Sequence, residues 1–152
     1  MKITLATAAA LTGLSDRTLR RWIVERTIRR EEGPRTMIDL TELLPHIQLP
    51  VDDDARALIH AADRGDADAQ NGLALLFLAG RLYGRAFPWL TRAAAQGHAD
   101  AMSWLARCHF EGRGTPQDGS LGMMWLAKAA ATGHAISARQ LASLVRVPLP
   151  QG

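Results

Sequence analysis

The sequence has little cysteine, few aromatic residues and little of the alternating apolar pattern that marks β-strands. Cys108 is the single cysteine among 152 residues, so no disulfide can form within the chain. Aromatic residues make up only 5% of the chain. The longest uninterrupted apolar run, Leu73 to Ala79, is far too short to span a bilayer. These absences exclude an intrachain disulfide framework and a membrane-spanning helix, and they disfavour a mainly β architecture.

The sequence also lacks the common signatures of catalysis and metal binding. No serine or cysteine lies in a local nucleophile motif. The aspartates 52–54 lack the glycine and glutamate of a calcium loop, and His60 and His109 have no neighbour at metal-ligand spacing. His98 and His134 each follow a glycine, which favours a structural role at a helix start. We expect no catalytic residue, no metal, no cofactor and no enzymatic activity.

What the sequence does contain is an internal repeat. One 18-residue pattern occurs three times, each time with a glycine at the same place: Ala57–Ala74 with Gly65, Trp89–Ala106 with Gly97, and Trp125–Ala142 with Gly133. A period of roughly 20–50 residues is typical of a solenoid, in which no unit can bury its apolar face alone. Each copy predicts two helices joined by a tight turn at its glycine.

The predicted helices form three antiparallel pairs, at about 55–64 with 67–79, 85–95 with 99–111, and 120–131 with 135–146. Trp89, Trp104 and Trp125 are expected in the core by their spacing, as is Cys108. Valine at Gly97 is expected to destabilise the turn through left-handed strain and crowding between helices. Three pairs are near the minimum for a self-supporting solenoid.

The segment Gly112 to Asp118, GRGTPQD, and the later residues Trp125, Ala129, Ala130, Gly133 and His134 resemble the Sel-one-like repeats, relatives of the tetratricopeptide repeat. The resemblance covers about Ala55 to Val145. Two departures are the shorter connection from Gly80 to Trp89 and a serine at position 137, where the other copies have alanine. The resemblance implies an α/α solenoid that contacts a protein or a second copy of itself. The exposed residues predicted to make such contacts are Arg56, Arg92, Gln96 and Lys128.

The N-terminal part differs from the repeats in its charge. Residues 1–35 hold eight basic and four acidic residues, a net charge of +4, which leaves −1 for the rest of a chain whose total is +3. A basic first part beside a near-neutral remainder indicates an anionic partner for the first part only.

The same N-terminal part has the pattern of two short helices. Thr7–Leu11 predicts the first, Gly13 supplies a turn, and Ser15 caps a second helix that places Leu19 and Trp22 inward and its arginines outward. Residues 28–30 and 36–38 then predict a hairpin around Gly33-Pro34. Beyond it, Asp39 is expected to cap a helix through Leu40, Leu43 and Leu44. This order is typical of a helix-turn-helix with a wing.

The residues Ala9, Gly13, Leu14, Ser15, Arg17, Thr18, Leu19, Arg20 and Trp22, followed by Arg35, Ile38, Asp39 and Leu40, are similar to the winged-helix domains of MerR and excisionase-like regulators. Arg26-Thr27-Ile28 departs from the usual Gly-Leu-Ile. The resemblance implies binding to double-stranded DNA through the second helix. The residues predicted to contact DNA are Ser15, Arg17, Thr18, Arg20, Arg21, Arg29, Arg30 and Arg35.

Other interpretations of this arginine-rich part stay open. Asp16, Glu31 and Glu32 dilute its positive charge, so the winged helix could bind protein instead of DNA, or the arginines could only solvate a helix face.

The first residues, MKITLATAAALTGL, also look a little like a signal peptide. Threonines interrupt the apolar stretch and no small-residue cleavage site ends it, so we expect a cytoplasmic protein.

The sequence therefore predicts a mainly α protein with four parts. These are a winged helix-turn-helix with a short β-hairpin (1–49), a linker (50–54), a solenoid of about three helical hairpins (55–147) and a tail (148–152). Its predicted function is a bacterial DNA-binding transcriptional regulator whose repeats bind a protein and supply self-association, with a homodimer as one form. The alternative is a non-enzymatic interaction adaptor with no DNA role.

Overall fold

The computed structural model describes residues 1–25, 28, 30, 31 and 35–145, and in this part the chain is mainly helical with one small sheet. The elements in chain order are β1 (Lys2–Thr4), α1 (Leu5–Thr12), α2 (Asp16–Val24), β2 (Arg30–Glu31), β3 (Met37–Asp39), α3 (Leu40–Leu43), a 3-10 turn (Leu44–His46), α4 (Asp53–Asp63), α5 (Ala67–Ala79), α6 (Tyr83–Ala95), α7 (Ala99–Glu111), α8 (Gly119–Ala131) and α9 (Ala135–Val145). The predicted fold class, a small head followed by a helical solenoid, is confirmed.

In each of the three helical hairpins the two helices are joined by the same kind of turn, which confirms the repeat pattern. The glycines 65, 97 and 133 have φ angles of 97°, 90° and 89°. In the second hairpin the N–H of His98 donates to the carbonyl of Ala93, and the N–H of Gly97 donates to that of Ala94. Such paired bonds close a helix end whose carbonyls would otherwise lack partners. The glycines are required because other residues are strained at these angles.

The helix after each of these turns begins with a side-chain cap. Asp66 Oδ1 accepts the N–H of Ala69 at 2.8 Å, which begins α5. His98 Nδ1 accepts the N–H of Ala101 at 3.2 Å, and His134 Nδ1 accepts that of Ser137 at 3.1 Å. The predicted structural role of both histidines at helix starts is therefore confirmed.

The two predicted helices of the head are present, and the first is longer than predicted. Thr4 caps α1 by accepting the N–H of Thr7, so the helix begins at Leu5 and not at Thr7. Gly13 ends it with φ of 69°, and Ser15 then accepts the N–H of Thr18 to begin α2. In α2, Leu19 is fully buried and Trp22 is half-buried, as their spacing predicts.

A three-stranded antiparallel sheet in the order β1–β3–β2 joins the beginning of the head to its end. Arg30 pairs with Ile38, which confirms the predicted hairpin, although its tip at residues 32–34 lies outside the described residues. Ile3 also pairs with Ile38, on the other side of β3. This β1 pairing was not predicted, because three residues are too few to show an alternating pattern. The strand closes the head by placing Ile3 in the core, with no exposed surface.

The segment between sheet and repeats is largely helical. Asp39 Oδ1 accepts the N–H of Thr41 at 3.0 Å and begins α3, which is shorter than predicted because it passes into the 3-10 turn at Leu44. This backbone hydrogen bond lowers the pKa of Asp39. Further on, α4 begins at Asp53 with Asp52 as its cap, so the predicted linker 50–54 is partly helix.

Head and solenoid share one buried apolar cluster. It contains head residues such as Leu11 and Leu19 together with repeat residues such as Phe77, Trp89 and Leu105. Cys108 is buried, as its repeat position predicts, and burial raises the pKa of its thiol. Within the described part of the chain no helix combines the length and the apolar character needed to cross a bilayer. The predicted boundary between head and repeats stays a prediction.

Candidate interaction surfaces

The outward side of α2 is a row of arginines. Arg17, Arg20 and Arg21 are all exposed. Their spacing of three and four residues places them on neighbouring turns of the helix. Arg21 Nε lies 3.9 Å from Glu25 Oε1, a long contact between two exposed side chains. Arg17 and Arg20 form no ion pair with any side chain that the structure describes. This α2 arginine face (Arg17, Arg20 and Arg21) therefore presents exposed guanidinium groups to the surroundings.

The other residues predicted to contact DNA are less completely placed. The Ser15 hydroxyl accepts the N–H of Thr18 at 3.1 Å and lies 2.9 Å from the Thr18 hydroxyl, so both side chains stabilise the start of α2. Arg35 is exposed before β3, and the backbone of Arg30 lies in β2. Arg29 and the side chain of Arg30 lie outside what the structure describes.

The four residues predicted to contact protein lie in different environments. Arg56 is half-buried on α4, and Gln96 Nε2 donates to Gln70 Oε1 at 2.9 Å. Lys128 is exposed on α8, with its Nζ 4.7 Å from the ring centroid of Trp125. Arg92 Nη2 donates to the main-chain carbonyl of Ala6 at 3.0 Å. Arg92 is therefore part of the contact between α6 and the head, and sequence reasoning missed this because repeat periodicity cannot show which face is covered.

The head is held on the repeats by polar contacts to its first helix. Arg85 Nη1 donates to the carbonyl of Leu11 at 2.8 Å, near the end of α1. At the start of α1, Asp63 Oδ1 accepts both the Thr4 hydroxyl at 2.6 Å and the Thr4 N–H at 3.1 Å. Burial lowers the pKa values of Arg85 and Arg92, with Asp63 opposing that effect at Arg92. These contacts link α1 and β1 to α4 and α6.

A groove opens between α7 and α9, with Leu126 of α8 also lining it. Its volume is about 630 Å³. Its apolar lining consists of Trp104, Ala106, Phe110, Leu126, Ile136 and Leu144. Its polar lining consists of Asp100, Ser103, Arg107, Glu111, His134, Gln140 and Ser143. Ile136 and Leu144 leave 60% and 55% of their surface exposed, so this groove presents apolar side chains to the surroundings.

This α7–α9 groove was not predicted from the sequence. Trp104 was expected in the core by its spacing, but it is only half-buried because one edge of the groove leaves it uncovered. A signal was present at position 136. There isoleucine replaces the aspartate that the other two copies have at Asp68 and Asp100. An apolar residue at a position that is polar in the other copies indicates that the surface of the third hairpin differs from theirs.

The aspartates at this position connect neighbouring repeats. His98 Nε2 lies 3.2 Å from Asp68 Oδ1, and His134 Nε2 lies 2.9 Å from Asp100 Oδ1. Because Nδ1 of each ring accepts a backbone N–H, a neutral imidazole must carry its hydrogen on Nε2 and donate it to the carboxylate. One histidine thus begins its own helix and holds the previous repeat. Ile136 cannot accept such a bond, so this pattern ends in the third hairpin.

Within the described ranges, no three His, Cys, Asp or Glu side chains come together in a way that could hold a metal ion. His109 is buried, and its ring lies edge-on to Phe87 with the ring centroids 5.6 Å apart. The expectation that the protein is not an enzyme stays a prediction.

Comparison with known proteins shows what the repeats are similar to. The family model of the Sel1 repeat matches residues 67–98 and 99–134. The crystal structure of a protective antigen from uropathogenic Escherichia coli with an SLR fold is 30% identical, with a TM-score of 0.55 over 59% of this chain and 20% of that chain. A Sel1 repeat protein from Oxalobacter formigenes is 25% identical, with a TM-score of 0.52 over 59% of this chain and 40% of that chain.

The chain thus spans well under two thirds of the length of these two structures. No match was found among curated proteins. The matched residues include both helices of the central hairpin and the glycine turns at Gly97 and Gly133. Residues 67–134 are therefore similar to Sel1 repeats, and the structure shows that they form consecutive antiparallel helices of a helical-repeat solenoid.

Proposed function

We propose that the protein is an interaction adaptor whose repeats bind a protein partner in the α7–α9 groove. The observation that supports this most directly is the pair of uncovered apolar residues on α9, Ile136 and Leu144, beside the half-buried Trp104. Contiguous apolar surface with a polar rim is typical of protein-binding sites. An aromatic residue in the centre of such a surface is a common source of binding energy.

The chemistry of the groove indicates an apolar partner segment with few charges. The rim charges Arg107 and Glu111 already form an ion pair, with Arg107 Nε 2.8 Å from Glu111 Oε1. His134 and Asp100 are likewise engaged with each other. A partner therefore gains little by ion pairing here. It gains mainly from burying the apolar lining, at about 25 cal/mol per Å² of apolar surface removed from water.

The test compares two leucine-to-arginine variants. Both leucines are exposed, and each lies on the second helix of a hairpin. Leu144→Arg places a charge in the groove, whereas Leu75→Arg places the same charge on α5, outside it. Tagged full-length chains are used to capture proteins from an extract of the native cells, with quantitative mass spectrometry. A protein kept by the wild type and by Leu75→Arg but lost with Leu144→Arg supports the groove. If both variants retain the same proteins, the groove is not the binding site.

DNA binding by the head is a second candidate function, favoured by the exposed α2 arginine face. A helix-turn-helix can place its second helix in the major groove, where arginine contacts phosphates or guanine edges. Arg35 beside the sheet would add a contact from the wing. Contact with chromosomal DNA requires the cytoplasmic location that the sequence predicts. A protein with both activities would recruit its partner to a DNA site.

This second function is tested by selecting bound fragments from random or genomic DNA. The double variant Arg17→Ala and Arg20→Ala should lose binding while its circular dichroism spectrum is unchanged. Because about five phosphates are neutralised, the logarithm of the binding constant should fall with a slope of roughly −4 to −5 against the logarithm of salt concentration. No enrichment of any duplex with the wild-type chain would leave the adaptor function alone.

A further inference from the structure

The face of α6 that receives the head has a counterpart on α8. On α6 this face consists of Arg85, Trp89 and Arg92, which follow each other at four and three residues. Arg85 and Arg92 donate to main-chain carbonyls of α1, and Trp89 has no exposed surface. The Arg92 guanidinium lies over the Trp89 ring, with Cζ 4.7 Å from its centroid. Two long cationic side chains on either side of a buried tryptophan in α6 thus reach the main chain of the alanine-rich α1.

The residues 36 positions later form a similar row on α8, with one cationic side chain in place of two. Leu121, Trp125 and Lys128 take the places of Arg85, Trp89 and Arg92, and Met124 takes the place of Pro88. Lys128 Nζ lies 4.7 Å from the Trp125 centroid, which repeats the stacking seen on α6.

This α8 face (Leu121, Met124, Trp125, Lys128) lacks a covering helix. Leu121 and Met124 are 39% and 38% exposed, and Trp125 is only half-buried where Trp89 is completely buried. The spacing of three and four residues places these side chains side by side on one stripe of the helix. The stripe therefore has the composition of a helix-packing surface and no helix packed on it among the described residues.

We propose that the α8 face binds a short helix of a partner protein that presents small residues, as α1 does to α6. The reason is continuity with the interface inside the molecule, since the repeat places the same residue positions in the same geometry one unit further along. Small side chains let two helix axes approach closely, so that Trp125 would be covered as Trp89 is. Lys128 would donate to a main-chain carbonyl of that helix, as Arg92 donates to Ala6.

The occupant must come from another kind of protein. The chain's own α1 is already held on α6 by Arg85 and Arg92, and α1 in a second copy is held in the same way. Leu121 cannot donate a hydrogen bond as Arg85 does, so the partner helix contributes an apolar contact at that end. This surface lies on α8, apart from the α7–α9 groove and the α2 arginine face, and it does not depend on either proposed function.

The test uses a stapled helical peptide with the sequence of residues 4–14, TLATAAALTGL, titrated into the full-length chain. The staple is needed because a free helix of this length is marginal in water. We expect saturable binding with a blue shift of tryptophan fluorescence. Met124→Arg should weaken the binding at least tenfold, whereas Leu75→Arg, an equally exposed position on α5, should leave it unchanged. The same peptide with lysine in place of Ala8, Ala9 and Ala10 should not bind.

Three results would overturn the proposal. The first is no binding of the stapled peptide, or equal binding of its lysine control. The second is equal binding to wild type and Met124→Arg, which would mean that the peptide displaces the head from α6 or binds elsewhere. The third is a self-associated wild-type chain that Met124→Arg converts to a monomer in light scattering, which would make the α8 face an interface between copies.

Discussion

At the scale of single residues, the glycine turns have the clearest structural requirement. Gly97 has φ of 90°, yet an added Cβ would meet no atom within 4 Å. The left-handed strain expected from the sequence is thus present, whereas the expected crowding between helices is wrong. The turn lies at the surface, where Gly97 is exposed and a side chain would have space.

Gly97→Val should therefore lower the free energy of unfolding by roughly 1–2 kcal/mol, the cost of left-handed strain alone. Thermal and denaturant melts measure it. Gly84→Ala is the matched control, because Gly84 lies in α6 with open space around it. Removing a helical glycine should stabilise by about 0.5–1 kcal/mol. A silent Gly97→Val would show that the turn adopts another conformation.

The turn histidines show how one side chain can serve two elements. His98 begins α7 through Nδ1 and contacts Asp68 of the previous repeat through Nε2. The cap involves a partly buried backbone N–H, whereas Asp68 is 95% exposed. Exposed ion pairs contribute little in water. The cap should therefore be the larger of the two contributions.

This separation can be measured with two substitutions at one position. His98→Ala removes both contacts and should cost about 1 kcal/mol, the usual value of a lost N-cap. His98→Asn keeps a capping oxygen but cannot reach Asp68, so it should lose much less. The Asp68→Ala variant completes a double-mutant cycle. If His98→Asn is as destabilising as His98→Ala, the contact between repeats matters more than the cap.

At the scale of elements, the position of α1 on α6 is the arrangement that periodicity could not predict. The sequence placed Arg92 among exposed contact residues, because a repeat shows only which helix face is polar. In the fold, Arg85 and Arg92 bind main-chain carbonyls of α1. The side chain of Arg85 also lies against Gly13, where an added Cβ would be only 2.8 Å from its Cζ. The turn of the head and the start of α6 are thus fitted to each other.

Loss of the Arg85 contact should loosen the head and leave the repeats intact. Arg85→Met keeps the apolar stem but leaves the carbonyl of Leu11 without its donor, at a cost of about 1–3 kcal/mol. Hydrogen exchange should become faster in α1 and stay unchanged in α7 and α8. Arg139→Met, at an exposed position on α9, is the control. If hydrogen exchange in α1 is no faster in Arg85→Met than in the wild type, this contact does not hold the head.

At the scale of the whole molecule, the prediction that the repeats supply self-association can be decided directly. A single small head with about four to six phosphate contacts would bind DNA weakly at physiological salt. Dimerisation of the chain would raise its affinity for DNA, because two heads then bind two half-sites. Uncovered apolar residues on α9, including Ile136, provide a surface for it. Size-exclusion chromatography with light scattering should show a dimer at high protein concentration. A monomer throughout would remove self-association and leave the groove to another protein.

The sequence by itself determined the repeats, their turns and the order of elements in the head, since these depend on contacts between residues close in the chain. A glycine at a left-handed position and a capping residue at a helix start act within a few residues. The tertiary structure decided the remaining features: β1 beside β3, α1 on α6, the groove between α7 and α9, and the uncovered α8 face. These features depend on contacts between helix or strand faces that are far apart in the chain. The faces of α6 and α8 have the same repeat pattern, and they differ only because one of them is covered by α1.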